Sequence, residues 1–547
     1  KANNGKKIAV IGAGPAGLSC AYFLAIEGYQ VEIFEAEEKG GGMLRYGIPA
    51  YRLPKDILDK EIENIEKMGV KISYNKKLGR DFTIEALKSS FNAVFVAIGA
   101  WTASGLRCEG EDAQGVEGGI DVLYRVAKGE KVDLGDNVCV VGGGNTAIDA
   151  VRTAVRLGAK NVTLVYRRTE KEMPAEPDEI FDAKAEGVNF RFLAAPIRVL
   201  SENGKATGLE IQNMELGEPD ESGRRQPVAI EGSTDIIKCD TVISAIGQRV
   251  SSSCIDSVEL TKKSTISVNE KTYMTSVDGV FAAGDVINKG PDIAIRAIAG
   301  GKYAARSIDC YINGIEVPDE LPAYSVNTNF DASVLEGMSL IDRCEIKLEN
   351  ANSRRNNFNE VASTLTKEEA QKEASRCLEC GCSAVYSCEL LPLMRDYDAL
   401  SMKLNGKTRQ YPKDKSHPFI VRDNNKCILC GQCVRACKEI SGTENLGLFG
   451  RGFGTLPVSA FDLPLNESKC ISCGACVNVC PTGALVSKTV TPKNPPLPFE
   501  DEDYICTDCD SSCKFTKRKI NGKTVKMIPV DLKNNCSLGI FALPVIE

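Results

Sequence analysis

A chain of 547 residues, 43% of them apolar, carries material for three or four packed domains. Its net charge of −7 lacks the basic footprint that nucleic-acid binding requires, and its one short basic run, Lys514 to Lys519, reads as solvated surface. The longest apolar stretches, such as Ala93 to Ala100, are too short for a membrane span, and no signal-peptide pattern opens the chain, so the expectation is a cytoplasmic protein with no membrane span. The first residue is Lys rather than Met, which leaves room for residues ahead of it. Of 23 cysteines, 16 follow residue 376, whereas the only histidine is His417. In a long chain without an export signal, clustered cysteines point to metal rather than to a disulfide scaffold. A single histidine argues against zinc sites of the cysteine–histidine kind and against histidine proton shuttling.

Lys7 to Gly12 is a short apolar run opening onto Gly12-x-Gly14-x-x-Gly17, with Pro15 and Ala16 inside the turn. A helical pattern continues to about Glu27, and a second apolar strand, Val31 to Phe34, ends at Glu35. This register of strand, glycine turn, helix and acid forms a dinucleotide site. The glycines admit close backbone approach, the helix N-terminus faces a pyrophosphate, and the acid holds ribose hydroxyls. The pattern recurs with the strand Asn137 to Val141, the turn Gly142-Gly143-Gly144-Asn145-Thr146-Ala147, a helix to Leu157 and the strand Val162 to Val165. Here Tyr166-Arg167-Arg168 replaces the acid, which suits the 2′-phosphate of NADP(H), unless the arginines simply coat the surface. A third signal, Val280-Phe281-Ala282-Ala283-Gly284-Asp285, is an apolar strand ending in Gly-Asp ahead of a helix-like Ile293 to Ile308. The order predicts an α/β fold of two nested dinucleotide-binding, Rossmann-like domains. It resembles that of two-dinucleotide flavoproteins, which implies a split FAD-binding domain at residues 1–128 and 248–345 around an NADP(H)-binding domain at 129–247.

Further motifs narrow this reading: Gly41-Gly42-Met43-Leu44-Arg45-Tyr46-Gly47-Ile48-Pro49, Arg52-Leu53-Pro54-Lys55, Gly144-Asn145-Thr146-Ala147-Ile148-Asp149, and Tyr166-Arg167-Arg168 with Met173-Pro174-Ala175. Through them residues 6 to about 310 resemble the small subunit of glutamate synthase and its relatives, flavoproteins of the glutathione-reductase type. The resemblance implies FAD bound through Gly12, Gly14, Gly17, Glu35, Gly42, Leu44 and Asp285, and NADP(H) through Gly143, Gly144, Asn145, Arg167 and Arg168. Pro15, Ala16, Met43, Arg52, Gly99, Gly284, Thr146 and Gly247 join the cofactor-binding set. Disulfide reductases share this layout but pass electrons to a closely spaced cysteine pair. Cys20, Cys108, Cys139, Cys239, Cys254, Cys310 and Cys344 are far apart in sequence and read as small buried hydrophobes or inert thiols.

Residues 346–400 read as a polar linker and a first cluster region, 401–490 as a two-cluster ferredoxin-like domain of α+β type, and 491–547 as a last cluster region. Cys427-x2-Cys430-x2-Cys433-x3-Cys437 and Cys470-x2-Cys473-x2-Cys476-x3-Cys480-Pro481 carry the spacing of a two-cluster ferredoxin, in which the fourth cysteine of each run ligates the other cluster. One [4Fe–4S] cluster should take Cys427, Cys430, Cys433 and Cys480, and the other Cys470, Cys473, Cys476 and Cys437. Cys506-x2-Cys509-x3-Cys513 with Cys536 resembles the cluster motif that opens molybdopterin oxidoreductases, a zinc ribbon being the alternative. Cys377, Cys380, Cys382 and Cys388 supply four more thiolates, and Cys382-x5-Cys388-Glu389-Leu390 echoes the large iron–sulfur subunit of NADH dehydrogenase and of iron-only hydrogenases. The stretch from Ser416-His417-Pro418 through Pro481-Thr482-Gly483-Ala484-Leu485 resembles that same subunit. His417 reads as structural, because sixteen cysteines already divide into four sets of four.

Together these resemblances imply an oxidoreductase subunit that passes electrons between NADP(H), FAD and four [4Fe–4S] clusters, with no side chain needed as catalytic acid or base. The combination is similar to ferredoxin-dependent, electron-bifurcating transhydrogenases. It implies other iron–sulfur or flavin subunits and ferredoxin as partners. An electron-transfer subunit of an NADP-linked formate dehydrogenase or hydrogenase is the alternative, and a glutamate synthase small subunit comes third.

Overall fold

A strand buried on both faces must be apolar, and the strand Lys7–Ile11 is so from Ile8 onward. In the computed structural model Ile8 and Val10 face one core with Ile33, Phe95 and Phe281, while Ala9 and Ile11 face another with Val94, Val96 and Val280. The structure describes residues 3–219, 225–251, 254–255, 257–287, 293–317, 340–376, 388–397, 411–488, 500–507, 510, 512–520 and 522–530. The chain forms two units, one of Lys1–Val317 with Glu345–Thr366, the other of Pro318–Cys344 with Lys367–Glu547.

The first unit holds two parallel sheets of five strands. One runs in the order Val280–Ala282, Ala93–Val96, Lys7–Ile11, Gln30–Phe34, Lys71–Ser73. The other runs Val116–Gly118, Thr241–Ser244, Asn137–Val141, Asn161–Tyr166, Asn189–Phe192. In each, the strand leading into a glycine turn is central, which places both turns at the carboxyl edge of a sheet. Because Val280–Ala282 returns to the first sheet after the second is complete, the second is an insertion in the first. The two crossings run side by side, as Thr102–Ala103 pairs antiparallel with Gln248–Arg249. A three-stranded antiparallel sheet, Ala194–Glu202, Lys205–Pro219 and Arg225–Lys238, extends the inserted part.

The stretch from Glu345 to about Glu360, whose Asn- and Arg-rich composition reads as linker, belongs instead to the first unit, within Glu345–Thr366. Arg354 is buried and donates to Asp182, and the Val361 amide donates to the Tyr51 carbonyl at 3.0 Å. Polarity misled here because Arg354 is satisfied internally by Asp182 and Glu186, far away in sequence.

In the second unit Ile420–Arg422 pairs with Leu485–Ser487, and Ile420, Leu446, Leu465 and Leu485 form a small core with Cys433 and Cys437. Near the C-terminus the basic strand Lys514–Ile520 lies against the acidic strand Glu500–Ile505, with Arg518 paired to Asp501 at 2.9 Å and Lys519 to Glu502. Two of the four cations of the basic run are thus paired by its neighbour. No helix among the described residues is long and apolar enough to cross a membrane.

Candidate functional site

A cavity of about 640 Å³ opens at the carboxyl edge of the first sheet, within the size range of a cofactor site. Gly12, Gly14, Pro15, Ala16, Glu35, Gly42, Met43, Gly99, Gly284 and Asp285 all line it. The helix Pro15–Ile26 starts at its wall with uncapped amides. Gly42 adopts φ 51°, and a Cβ there would stand 2.8 Å from the Gly14 Cα, so the two loops touch backbone to backbone. Glu35 is buried, with Oε2 accepting from the Ala13 amide at 2.6 Å and Oε1 from the Glu37 amide at 2.8 Å. Burial pushes its carboxyl up, against those two backbone bonds. A carboxylate clamped this way presents remaining lone pairs to hydroxyl donors such as a ribose diol.

Three expected residues stand elsewhere. Gly17 packs helix on turn, since a Cβ there would strike the Gly12 carbonyl oxygen at 1.9 Å. Leu44 packs into the core, and its carbonyl accepts from Lys55 Nζ at 2.8 Å. Arg52 pairs with Asp149 at 2.8 Å and with Glu179 at 2.9 Å, and so ties the first sheet's loop to the inserted part. The sequence reading missed Trp101, Tyr124 and the Lys76–Arg80 loop, which also line the cavity. Trp101, Tyr46 and Tyr124 form an aromatic trio with centroids 5.3 to 6.4 Å apart. Trp101, the chain's only tryptophan, stands two residues past Gly99 and was the available signal.

At the second turn, Gly143 is required because a Cβ would sit 2.4 Å from the Tyr166 ring. The Ala175 amide donates to the Gly143 carbonyl at 3.2 Å and the Glu176 amide to Asn145 Oδ1 at 3.2 Å, so the Met173-Pro174-Ala175 segment closes over the turn. Thr146 stands second in the helix Asn145–Arg156, beside Gly119. Gly247 lies at the crossing strands, its carbonyl accepting from the Ser104 amide at 2.9 Å. Arg167 is exposed. Arg168, expected beside it as a phosphate ligand, is buried, and its Nε donates to the Arg225 carbonyl at 2.7 Å. It braces the strand.

Behind this turn lies a buried ionic network. Arg152 and Arg156 pair with Glu186, and both guanidinium groups lie over the Tyr51 ring, at 4.9 and 3.9 Å. Glu186 also meets Arg354 at 2.9 Å.

In the second unit the structure brings the eight ferredoxin-type cysteines into two cavities. One is lined by Cys427, Cys430, Cys433 and Cys480, the other by Cys437, Cys470, Cys473 and Cys476. Each run contributes its fourth cysteine to the other's cavity, the exchange that the spacing predicts. The loops repeat in conformation too: Leu429 and Ser472 have φ 60° and 59°, and Gly431 and Gly474 have φ 74° and 70° before the helices Gln432–Glu439 and Ala475–Asn478. Backbone amides already point at sulfur, from Leu429 to Cys427 at 3.3 Å and from Asn445 to Cys437 at 3.2 Å. Burial and the neighbouring thiols push Cys433 up to about 12. Crowded buried thiolates are unfavourable unless a cation neutralises them, so the donor set fits an iron–sulfur cluster.

Cys377, Cys380 and Cys382 of the first outer set lie outside the described residues. Cys388 is described, and the amide after it, Glu389, donates to the Pro481 carbonyl at 3.0 Å. Cys509 and Cys536 also lie outside. Cys506 and Cys513 are buried, with the Cys506 amide donating to the Cys513 carbonyl at 2.8 Å. Cys139 and Cys239, distant in sequence, both lie in the core behind the second sheet, and neither lines the cavity of the first.

The family model described as pyridine nucleotide-disulphide oxidoreductase matches residues 6–301, more than half of the chain. The chain belongs to the pyridine nucleotide-disulphide oxidoreductase family. A 4Fe-4S binding domain model matches residues 463–486, the region of the second cysteine run. Within the oxidoreductase family, the chain is 43% identical over 391 residues to the NADP(+)-dependent formate dehydrogenase subunit beta of Moorella thermoacetica, covering 69% of this chain and 55% of that protein. It is 40% identical over 424 residues to the NADPH-Fe(3+) oxidoreductase subunit beta of Geobacter sulfurreducens, covering 70% and 62%. It is 39% identical over 331 residues to the glutamate synthase [NADPH] small chain of Escherichia coli, covering 57% and 69%. The match thus spans little more than half the length of the first two relatives. Among solved structures, Mycobacterium tuberculosis FprA in complex with NADPH aligns with a TM-score of 0.51 at 17% identity, over 56% of this chain and 85% of that one. That likeness shows the fold, an α/β dinucleotide-binding fold.

Proposed function

We propose that this chain is the electron-transfer subunit of an NADP-linked complex, exchanging electrons between NADP(H) at the inserted domain and partner subunits through its cysteine-held clusters. The observation that carries the reading is the joining, in one chain, of a two-dinucleotide unit and paired cavities of four cysteines each. Of the finer alternatives, the formate dehydrogenase type is favoured over the transhydrogenase type, because a formate dehydrogenase beta subunit is 43% identical over 69% of the chain. Its partner would then be the subunit that oxidises formate.

FAD bound in the first cavity would supply the change from two-electron to one-electron transfer. Gly12, Gly14 and Gly42 let backbone approach its pyrophosphate, the helix Pro15–Ile26 directs free amides there, and Glu35 accepts from its ribose. Arg167, exposed at the end of the second sheet's strand, meets the 2′-phosphate of NADP(H). Arg52, through Asp149 and Glu179, keeps the two nucleotide turns in one relative orientation. The cysteines of the two cavities hold [4Fe–4S] clusters, and the outer cysteine sets add two more.

Anaerobic titration with NADPH and, separately, NADH tests this, with flavin bleaching followed optically and cluster reduction by EPR. Bleaching by NADPH followed by cluster signals is the expected result. Reduction by NADH alone would overturn the NADP(H) assignment. Formate supplied with the co-purified partner should reduce the same clusters. If ferredoxin does so and formate does not, the transhydrogenase reading replaces this one.

A further inference from the structure

His417 is the chain's only histidine, and it is almost fully buried, at 2% exposure. Its Nδ1 accepts two backbone hydrogen bonds, from the amides of Phe419 and Ile420, each at 3.1 Å. A ring nitrogen that accepts carries no proton, so these bonds fix the tautomer with its proton on Nε2. That Nε2 faces Ser472 Oγ at 3.1 Å and Cys470 Sγ at 3.7 Å. The N–H is therefore shared between a hydroxyl and a cysteine sulfur lining the second cavity. At the corresponding place in the first loop, with the same backbone conformation, stands Leu429, which has no polar side chain to offer. In the second cavity Cys437 Sγ meets the Asn445 amide at 3.2 Å and Thr443 Oγ1 at 3.3 Å.

Hydrogen bonds to cluster sulfur favour the reduced state, because an added electron raises the negative charge on the sulfur that accepts them. We propose that His417 is a positioning residue for electron transfer, whose Nε2–H, shared between Cys470 and Ser472, raises the reduction potential of the cluster held by Cys437, Cys470, Cys473 and Cys476. This rests on the reading that those cysteines hold a cluster. His417 itself takes up neither the electron nor a proton. It biases where the electron rests along the chain, and the imidazole stays neutral throughout.

The test is an EPR-monitored redox titration of the full chain carrying its clusters, with three variants. His417→Asn keeps an oxygen where Nδ1 accepts the two amides but lacks the Nε2–H. Its expected result is unchanged iron content with one cluster shifted: at the wild-type midpoint, the ratio of reduced to oxidised cluster falls about tenfold, a shift of about 59 mV to more negative potential for one electron. His417→Gln, which can restore an N–H near the Nε2 position, should recover part of that shift. Ser472→Ala removes the competing acceptor and should shift the same signal the other way, to more positive potential. Unchanged midpoints in His417→Asn would leave His417 only as a backbone cap and overturn the proposal, as would equal shifts of both ferredoxin-pair signals. If His417→Asn loses iron, Ser472→Ala decides, and an unchanged or negative midpoint there overturns the proposal. A wild-type protein without two ferredoxin-pair signals would instead sink the cluster reading on which it rests.

Discussion

Consecutive residues of an extended segment face opposite sides, and Tyr166-Arg167-Arg168 leaves the second sheet in this way. Arg168 turns in and binds the Arg225 carbonyl, while Arg167 turns out. Both arginines were legible as a cationic pair replacing the usual acid, but the division of labour was not, since it depends on a hairpin strand more than 50 residues further along. Arg167→Ala should therefore raise the KM for NADPH about 10- to 100-fold, the range of one lost charge-assisted contact, with kcat and the KM for NADH little changed. Steady-state reduction of an artificial acceptor with each nucleotide reads this. Arg168→Ala should leave both KM values near wild type and lower the melting temperature instead. Equal KM effects from the two substitutions would restore the original pairing.

At the scale of elements, the legible patterns are the local ones. Each glycine turn is bounded by its own strand and helix within about 30 residues, and each cysteine run is a local pattern. The helix Asn145–Arg156 is different. Asp149, Arg152 and Arg156 carry charge, yet all three are buried, because their partners come from Arg52 and from the helix Pro177–Ala185 with Glu186 behind it, which Arg354 also meets. No local pattern links positions so far apart. Glu186 is the centre of that network: burial pushes its carboxyl up, but hydrogen bonds from Arg156 and Arg152 overcome this and hold it below the ordinary glutamate range. Glu186→Gln leaves three guanidinium groups short of a charge and should cost about 3–5 kcal/mol. Because the folded-state carboxyl titrates below the unfolded one, the network's contribution is full above the unfolded value of roughly 4.3 and is lost as pH falls through the folded one. Chemical denaturation at several pH values should show the gap between wild type and variant narrowing only at the acid end. The cysteine exchange makes a second claim at this scale. Cys480→Ser lies in the second run, yet it should remove the cluster signal of the first run's cavity, and Cys437→Ser should do the reverse. EPR of the two variants would show loss of the other signal if each run held its own cluster.

At the scale of the whole molecule, the two units are stabilised by different means. The first has apolar cores on the faces of both parallel sheets, built from residues such as Ile8, Phe95, Val140 and Ile243. The core around the cysteine pair is far smaller, and Cys433 and Cys437 are part of it beside Ile420, Leu446, Leu465 and Leu485. A small core of this kind needs a staple, and thiolate–metal bonds formed only in the folded state supply folding free energy directly. Removing iron should therefore act on one unit and spare the other. Calorimetry of the loaded chain is expected to show more than one transition. Chelation of iron under mild oxidation should abolish or strongly lower the transition of the cysteine-rich unit while leaving that of the nucleotide-binding unit, with its bound flavin, in place. NADPH oxidation with an acceptor that takes electrons at the flavin should survive the same treatment, whereas reduction of acceptors reached through the clusters should not. A single transition that shifts as a whole on iron removal would mean that the units fold as one, and the nucleotide-binding unit would then owe its stability to the clusters as well as to its own sheets.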